Sequence, residues 1–589
     1  MRLSFLWLGA LYPLLAGGLS AQVDKVTATP IGDPPARVAR ISAVTGNVAF
    51  QPSGDTAWSQ ATLNYPMTDG DRLYVDRGSR AELQMGTAAV RLGEAADLTV
   101  TNLSDGFLQL GLTQGTARLS VYRLDPDDTV EVDTPHGALA VLAAGDYRLD
   151  APPDDTILVV TVQRGRLQWT AGGVAQTVEA GQAIRLTGVN PIRVAMVPRP
   201  APDAFDQWCA ARDGRLSSSP SARYVSRDIP GYDDLDDAGS WQDDAEYGPV
   251  WYPAGLPPSW VPYRYGHWAW IEPWGWTWVE HEPWGYAPFH YGRWVYVRSR
   301  WGWLPGPVAV RPYYAPALVV FVSGATWGAQ AWFPLGPGEP YYPWYHHDDE
   351  YLRRVNVTNI RHVTNVTTIT NVRNITMINY RNRQPGTTAV PNSIFQRGLG
   401  VQRRMIPVRT EELARAPIVA HPIAIPAASA AGGGTPAPRP TAARRPVFFT
   451  ARPPQAHPAL RLGQPLVVPR RAEPAGPAPV LITRHAPPPR DPPFQDRQRA
   501  QKPDPGRPLE PQQIDNLRAG KPAGPRRDPE FPPHPAAPPS RAPAPTAAPR
   551  PAPAPAAAPK PAAAPPRSAP KPAPARPAPK DDRRRRPGN

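Results

Sequence analysis

Between residues 38 and 190, apolar and polar positions alternate in short runs broken by Gly, Asp and Asn. Examples are Gly46-Asn47-Val48-Ala49-Phe50, Arg72-Leu73-Tyr74-Val75-Asp76, Ala81-Glu82-Leu83-Gln84-Met85 and Arg166-Leu167-Gln168-Trp169. A period of two sends successive side chains to opposite faces, so each run predicts a half-buried strand. Runs recurring about every 8–12 residues with turn residues between them predict an all-β sandwich or barrel-like domain.

The same period continues in a different chemistry from 251 to 345. Fifteen of the nineteen tryptophans lie between Trp241 and Trp344. Rings alternate with small or polar residues at Trp268 and Trp270, at Trp274, Trp276 and Trp278, and at Trp294 and Tyr296. Pro262-Tyr263-Arg264-Tyr265-Gly266-His267-Trp268 returns as Pro288-Phe289-His290-Tyr291-Gly292-Arg293-Trp294, a 26-residue repeat of hairpin size. Trp274-Gly275-Trp276 is echoed by Trp284-Gly285-Tyr286 and Trp301-Gly302-Trp303. This predicts a small aromatic-rich β-repeat module, because rings that each bury about 150–250 Å² can replace an aliphatic core.

Elsewhere the pattern fails. Residues 353–380 interleave β-branched residues with Asn and Thr, so 346–384 reads as an extended segment. From 385 to 589 the chain is rich in Pro, Ala and Arg, a composition that predicts a long disordered, extended tail. Residues 200–250 hold 11 Asp/Glu against 4 Arg, and 191–250 reads as a solvated acidic linker. Its charge suits attraction to the basic tail.

Charge is segregated along the chain. Residues 21–190 carry 13 Lys/Arg and 20 Asp/Glu, a net of −7, whereas 351–589 carry 39 and 12, a net of +27. At the start, Arg2, the apolar run Leu3 to Leu15 and the small residues Gly17-Gly18-Leu19-Ser20-Ala21 read as a signal peptide over 1–21. Later apolar runs are too short to span a bilayer. Export to a periplasm or cell envelope is the expectation. Cys209 is the only cysteine, so no intramolecular disulfide forms.

Two stretches resemble known families. Gly46-Asn47-Val48, Trp58, Asn64-Tyr65-Pro66-Met67, Asp69-Gly70-Asp71-Arg72-Leu73 and Val132-Asp133-Thr134-Pro135-His136-Gly137 resemble the FecR-type domain of bacterial envelope proteins. Ala144-Gly145-Asp146 departs from the Gly-Thr usual there. The aromatic stretch, followed by Trp332-Phe333-Pro334-Leu335-Gly336-Pro337-Gly338-Glu339-Pro340-Tyr341, resembles the DUF6600 type of aromatic-rich, proline-tailed protein. These resemblances imply a Gram-negative exported protein. The similarity to FecR itself covers its periplasmic portion, so its signalling role does not carry over with it.

Candidate chemistry is sparse. His346-His347-Asp348-Asp349-Glu350 is the densest ligand-like run, but adjacent loop residues rarely converge on one ion. Glu280-His281-Glu282 has acid/base residue types without a nucleophile motif beside them, and His136 reads as a turn residue. No phosphate loop, dinucleotide fingerprint or Gly-x-Ser-x-Gly occurs. The expectation is a non-enzymatic protein without cofactor or metal.

A binding surface is the first functional reading. Trp268, Trp270, Trp274, Trp276, Trp278, Trp284, Trp294, Trp301 and Trp303, with Arg264, Arg293, Arg298 and Arg300 among them, suit stacking on peptidoglycan, other glycans or Pro-rich peptides. The same pattern is met if the rings stack on one another as core. The basic tail suits an anionic envelope surface, and an exported protein is not expected to meet nucleic acid. The competing class is a FecR-like periplasmic sensor acting through protein–protein contacts.

Overall fold

The computed structural model describes residues 32–526 except 154–155, 309–310, 324–327, 358–378, 428–434, 444–446, 451–454, 457–463 and 469–479. The signal-peptide reading over 1–21 and the tail beyond Arg526 lie outside the described residues. Strands dominate, in several sheets, and no closed barrel forms among the described residues.

The front domain is built on three 15-residue strands, Phe107–Val121, Gly137–Ala151 and Ile157–Ala171, paired antiparallel in that order. The period-two pattern sets which face is buried. Leu108, Leu110 and Leu112 point into the core, while Gln109, Gly111 and Thr113 lie on the other face. The Thr129–Thr134 strand runs parallel to Phe107–Gly111, an exception in a mainly antiparallel sheet.

Residues 191–250 are not a solvated linker. Ile192–Val197 joins the sheet, and Ala204–Ser218 is a helix. Its start is fixed by a reciprocal cap: Asp203 accepts from the Phe205 and Asp206 amides, and Asp206 accepts from the Asp203 amide. The carboxylates of this region pair with arginines from distant strands. Arg148 meets Asp203 and Asp206, and Arg91 reaches Asp213 at 2.8 Å. In the other direction, Arg212 of the helix meets Glu82, which Arg91 also contacts at 2.6 Å.

Arg40, fully buried, ties three segments together. Its guanidinium donates to Asn64 Oδ1 at 2.8 and 3.0 Å, to Gln84 Oε1 and to the Pro283 carbonyl, and pairs with Asp234 at 2.6 Å. Asn64, held in the left-handed region at φ 64°, donates in turn to the Glu280 and Glu282 carbonyls. Front sheet, acidic segment and aromatic module are thereby joined, and one continuous apolar core runs through all three.

The expected disorder from 385 does not hold for the described residues, which continue in defined elements past 384 as far as Arg526. Thr388–Pro391 and Ile418–Val419 extend a sheet begun by Val319–Val322 and Ala329–Pro334. Beyond 435 the proline-rich chain forms a strap over the front domain. Pro436 and Ala437 pair with Ser59 and Trp58, Gln455 and Ala456 with Val174 and Ala175, and Leu466–Val468 with Ile192–Val194. Val480–Thr483 meets Thr134 and runs parallel to Val447–Thr450. Proline is tolerated at sheet edges because an edge strand has one side of its backbone unpaired. The strap's end is latched where His485 Nδ1 lies 2.7 Å from the buried Glu131 carboxylate, while Gln109 donates to Thr483 Oγ1 and the His485 carbonyl.

In the 346–384 segment, Asp348 caps a helix over Asp349–Val355, and residues 358–378 lie outside the described residues.

Replacing Arg40 with Ala leaves Asp234 and Asn64 without their buried partner. The expected cost is about 3–5 kcal/mol, the range for breaking a buried ion pair. It should appear as a lower urea midpoint, with Arg40→Lys restoring only part because an ammonium cannot reproduce the forked contacts.

Candidate functional site

The tryptophan hairpins form as their alternation predicts. Trp268 faces Trp278 and Trp270 faces Trp276 across Gly266–Ile271 and Gly275–Glu280; Trp294 faces Trp303 across Arg293–Val297 and Arg300–Leu304. Their exposure is the opposite of what a stacking surface requires. Trp268, Trp270, Trp274, Trp276, Trp278, Trp284, Trp294, Trp301 and Trp303 are all buried, none more than 6% exposed.

The reason is coverage by chain far away in sequence. Trp268 packs on Trp278, Phe321, Trp332 and Phe395 at centroid distances of 5.3–5.5 Å, the tilted and edge-on geometry that ring quadrupoles favour. Several indole N–H groups are satisfied internally: Trp276 donates to the Ala424 carbonyl, Trp294 to Pro288, and Trp303 to Tyr291, whereas those of Trp268 and Trp274 are buried among rings without a hydrogen-bond partner. Arg293 is buried too and donates to the Glu339 carbonyl and Asn356 Oδ1. Arg264 is turned to Thr387 and Thr388, and Arg300 lies over the Tyr252 ring. Those rings are core.

Other candidates are also absorbed locally. Glu280 is buried, accepts from the Trp278 indole and the His281 and Glu282 amides, and is pushed up to about 8 by desolvation. His267 Nδ1 lies 2.9 Å from His281 Nε2, and burial holds His267 down to about 3. His346 turns to Glu510 at 3.1 Å, His347 to the Tyr345 carbonyl, and Asp348 to its helix cap. Among the described residues no group of three His, Cys, Asp or Glu side chains gathers as a metal site. His136 bonds the Thr156 carbonyl and accepts the Trp169 indole through its own carbonyl, as a turn residue. Cys209 is buried, with its thiol pushed up to about 12 by desolvation.

The feature the sequence does not announce is a cleft of about 1070 Å³ between the outer face of the front sheet and the strap. Arg72, Thr99 and Thr101 line it from the front sheet, with Trp58 and Asp69 beside them. Phe448, Pro487 to Pro489, and Ile514 line it from the strap and from the helix Pro511–Arg518. Leu98 and Val100 belong to the core, so alternation turns Thr99 and Thr101 outward to the cleft. Asp69 accepts from the Leu103 amide at 2.6 Å, and burial pushes it up to about 7. No local signal marks this place, because its walls are separated by more than 300 residues of chain. Apolar runs inside the proline-rich stretch, Val447-Phe448-Phe449 and Val480-Leu481-Ile482, are the trace it leaves in the sequence.

Comparison with known proteins adds one family. Residues 232–339 match the model of a family of unknown function, DUF6600. The match covers the end of the acidic segment, both tryptophan hairpins and the run to Glu339. No curated protein matches the chain. Two crystal structures of a putative anti-sigma factor from Parabacteroides distasonis ATCC 8503 align with 22% of this chain and 60% of that one, at 17% identity and a TM-score of 0.20. The chain thus spans less than two thirds of that protein's length. Among the described residues no helix is long and apolar enough to cross a membrane.

Two outcomes follow from this burial. Trp268→Ala should lower stability by about 3–5 kcal/mol, the cost of emptying a large aromatic site, as a shift in the urea midpoint. A pH series should show a particular shape. Asp69 and Asp71 are held up to about 7 and Glu280 to about 8, so the folded chain binds their protons more tightly than the unfolded one. Stability should rise as pH falls from about 8.5 to 6.5. Below the ordinary His range, His267 and His290, both held down to about 3, take up protons only when unfolded and offset the gain. Toward pH 2 stability is lost as Glu82 and Asp203, both held down to about 2, are protonated and their ion pairs break.

Proposed function

We propose that this chain is a non-enzymatic scaffold of a Gram-negative cell envelope. The supporting observation is the continuous core through front sheet, acidic segment and aromatic module, tied by Arg40 and overlaid by the strap. An aromatic module packed this way gives shape and stiffness, and contact with envelope polymer falls to other parts of the molecule. The signal-like start and the resemblance of the front domain to FecR-type envelope domains support the location.

The polymer contact is assigned to the tail. Residues 527–589 carry 12 Lys/Arg against 4 Asp/Glu among Pro and Ala. A long chain of spaced cations gains avidity for a polyanionic surface by multivalency, and salt screens each contact. Peptidoglycan, whose peptides carry free carboxylates, is the surface proposed.

Co-sedimentation with isolated sacculi over a salt series tests this reading. The full chain should pellet at low ionic strength and be released as salt rises. A chain ending at Arg526 should lose that salt-released fraction. If truncation leaves the fraction unchanged, the tail is not the tether. If the full chain does not pellet at all, the role passes to protein partners of the front domain, as a periplasmic sensor would use them.

A further inference from the structure

The cleft under the strap has the features of a ligand site, independently of the tail. We propose that it binds a neutral, polyhydroxylated ligand, a short saccharide segment, through the Thr99 and Thr101 hydroxyls on its floor.

Thr99 and Thr101 are 6% and 4% exposed, and neither hydroxyl has a protein hydrogen-bond partner. A buried hydroxyl without a partner is costly. Here two such residues, two positions apart on one strand, line the same cleft. Gly111, opposite Thr99 in register, adds no side chain over them; a Cβ there would lie 3.4 Å from Thr101 Oγ1 and 2.8 Å from Leu481. The cleft is at the upper end of the roughly 300–1,000 Å³ that small-molecule sites occupy.

The chemistry of the walls narrows the class. An extended peptide adding as a strand needs an open backbone edge. The Asp97–Leu103 strand pairs with Phe107–Val121 on one side; on the other, Asp97–Thr99 pairs with Arg72–Tyr74 and Val100 is bonded to Gly70 and Asp71. A polyproline peptide needs an open aromatic slot, but Trp58 is 5% exposed and Arg72 lies over its ring at 5.4 Å. A polyanion needs uncompensated cations. Here the walls hold five Arg against five Asp/Glu, so no cationic surplus is left, and Arg518 is paired with Asp491 and Asp515 and Arg72 with Asp97. Hydroxyls, a carboxyl and amide-like acceptors in a charge-balanced cleft match the donors and acceptors of a sugar ring.

The test uses the full chain and isothermal titration with two neutral probes, the trisaccharide of N-acetylglucosamine and maltotriose. At least one should bind, with an affinity that changes little between low and high salt. In a Thr99→Val, Thr101→Val double variant the affinity should fall at least tenfold. Because no intramolecular hydrogen bond is removed, the urea midpoint should stay or rise, a result that a structural role for the hydroxyls would not give. Binding by neither trisaccharide, or undiminished binding by the double variant, overturns the proposal. Salt-released binding to sacculi reports the tail alone, so the two readings fail separately.

Discussion

Arg40 is the constraint on which the assembly depends. A guanidinium removed from water is tolerated only if its donors are matched, and the matches come from Asn64, Gln84, Pro283 and Asp234. Those residues lie on the front sheet, the acidic segment and the turn after the first tryptophan hairpin. None of the three segments can shift without leaving a buried charge unmet. Tyr286, 5.2 Å from the guanidinium carbon, closes the site from the aromatic side. The fold is therefore held at the junction by directional contacts, and by apolar burial on either side of it.

Strand content and the tryptophan hairpins were legible in the sequence because both depend on a period of two, which is local. The pairing of Trp268 with Trp278 follows from alternation and a glycine-bounded turn. Whether those rings face water is not local. It is settled by Phe321, Trp332 and Phe395, whose arrival depends on topology. The acidic segment misled for a related reason. A run of carboxylates reads as solvated unless its counter-charges are known, and Arg40, Arg91 and Arg148 stand far upstream. The Asp203 to Asp206 cap was a local clue to the helix there.

The proline-rich region shows the limit of composition. Proline and alanine cannot build a core, yet short apolar runs can each complete an edge that already exists. Leu466–Val468 on Ile192–Val194 and Val480–Thr483 beside Thr134 do this. The strap both blunts edges that would otherwise template pairing with other chains and roofs the cleft. A proline-rich roof resists collapse onto the floor beneath it, since its backbone torsions are fixed in advance.

The pairing of Thr134 with Ile482 has a consequence for biogenesis. The edge at Thr134 leaves the ribosome about 350 residues before its partner. At roughly 5–20 residues per second that interval is tens of seconds. Throughout it the front sheet lacks its cover, so a nascent chain that folded promptly would present open strands to its neighbours.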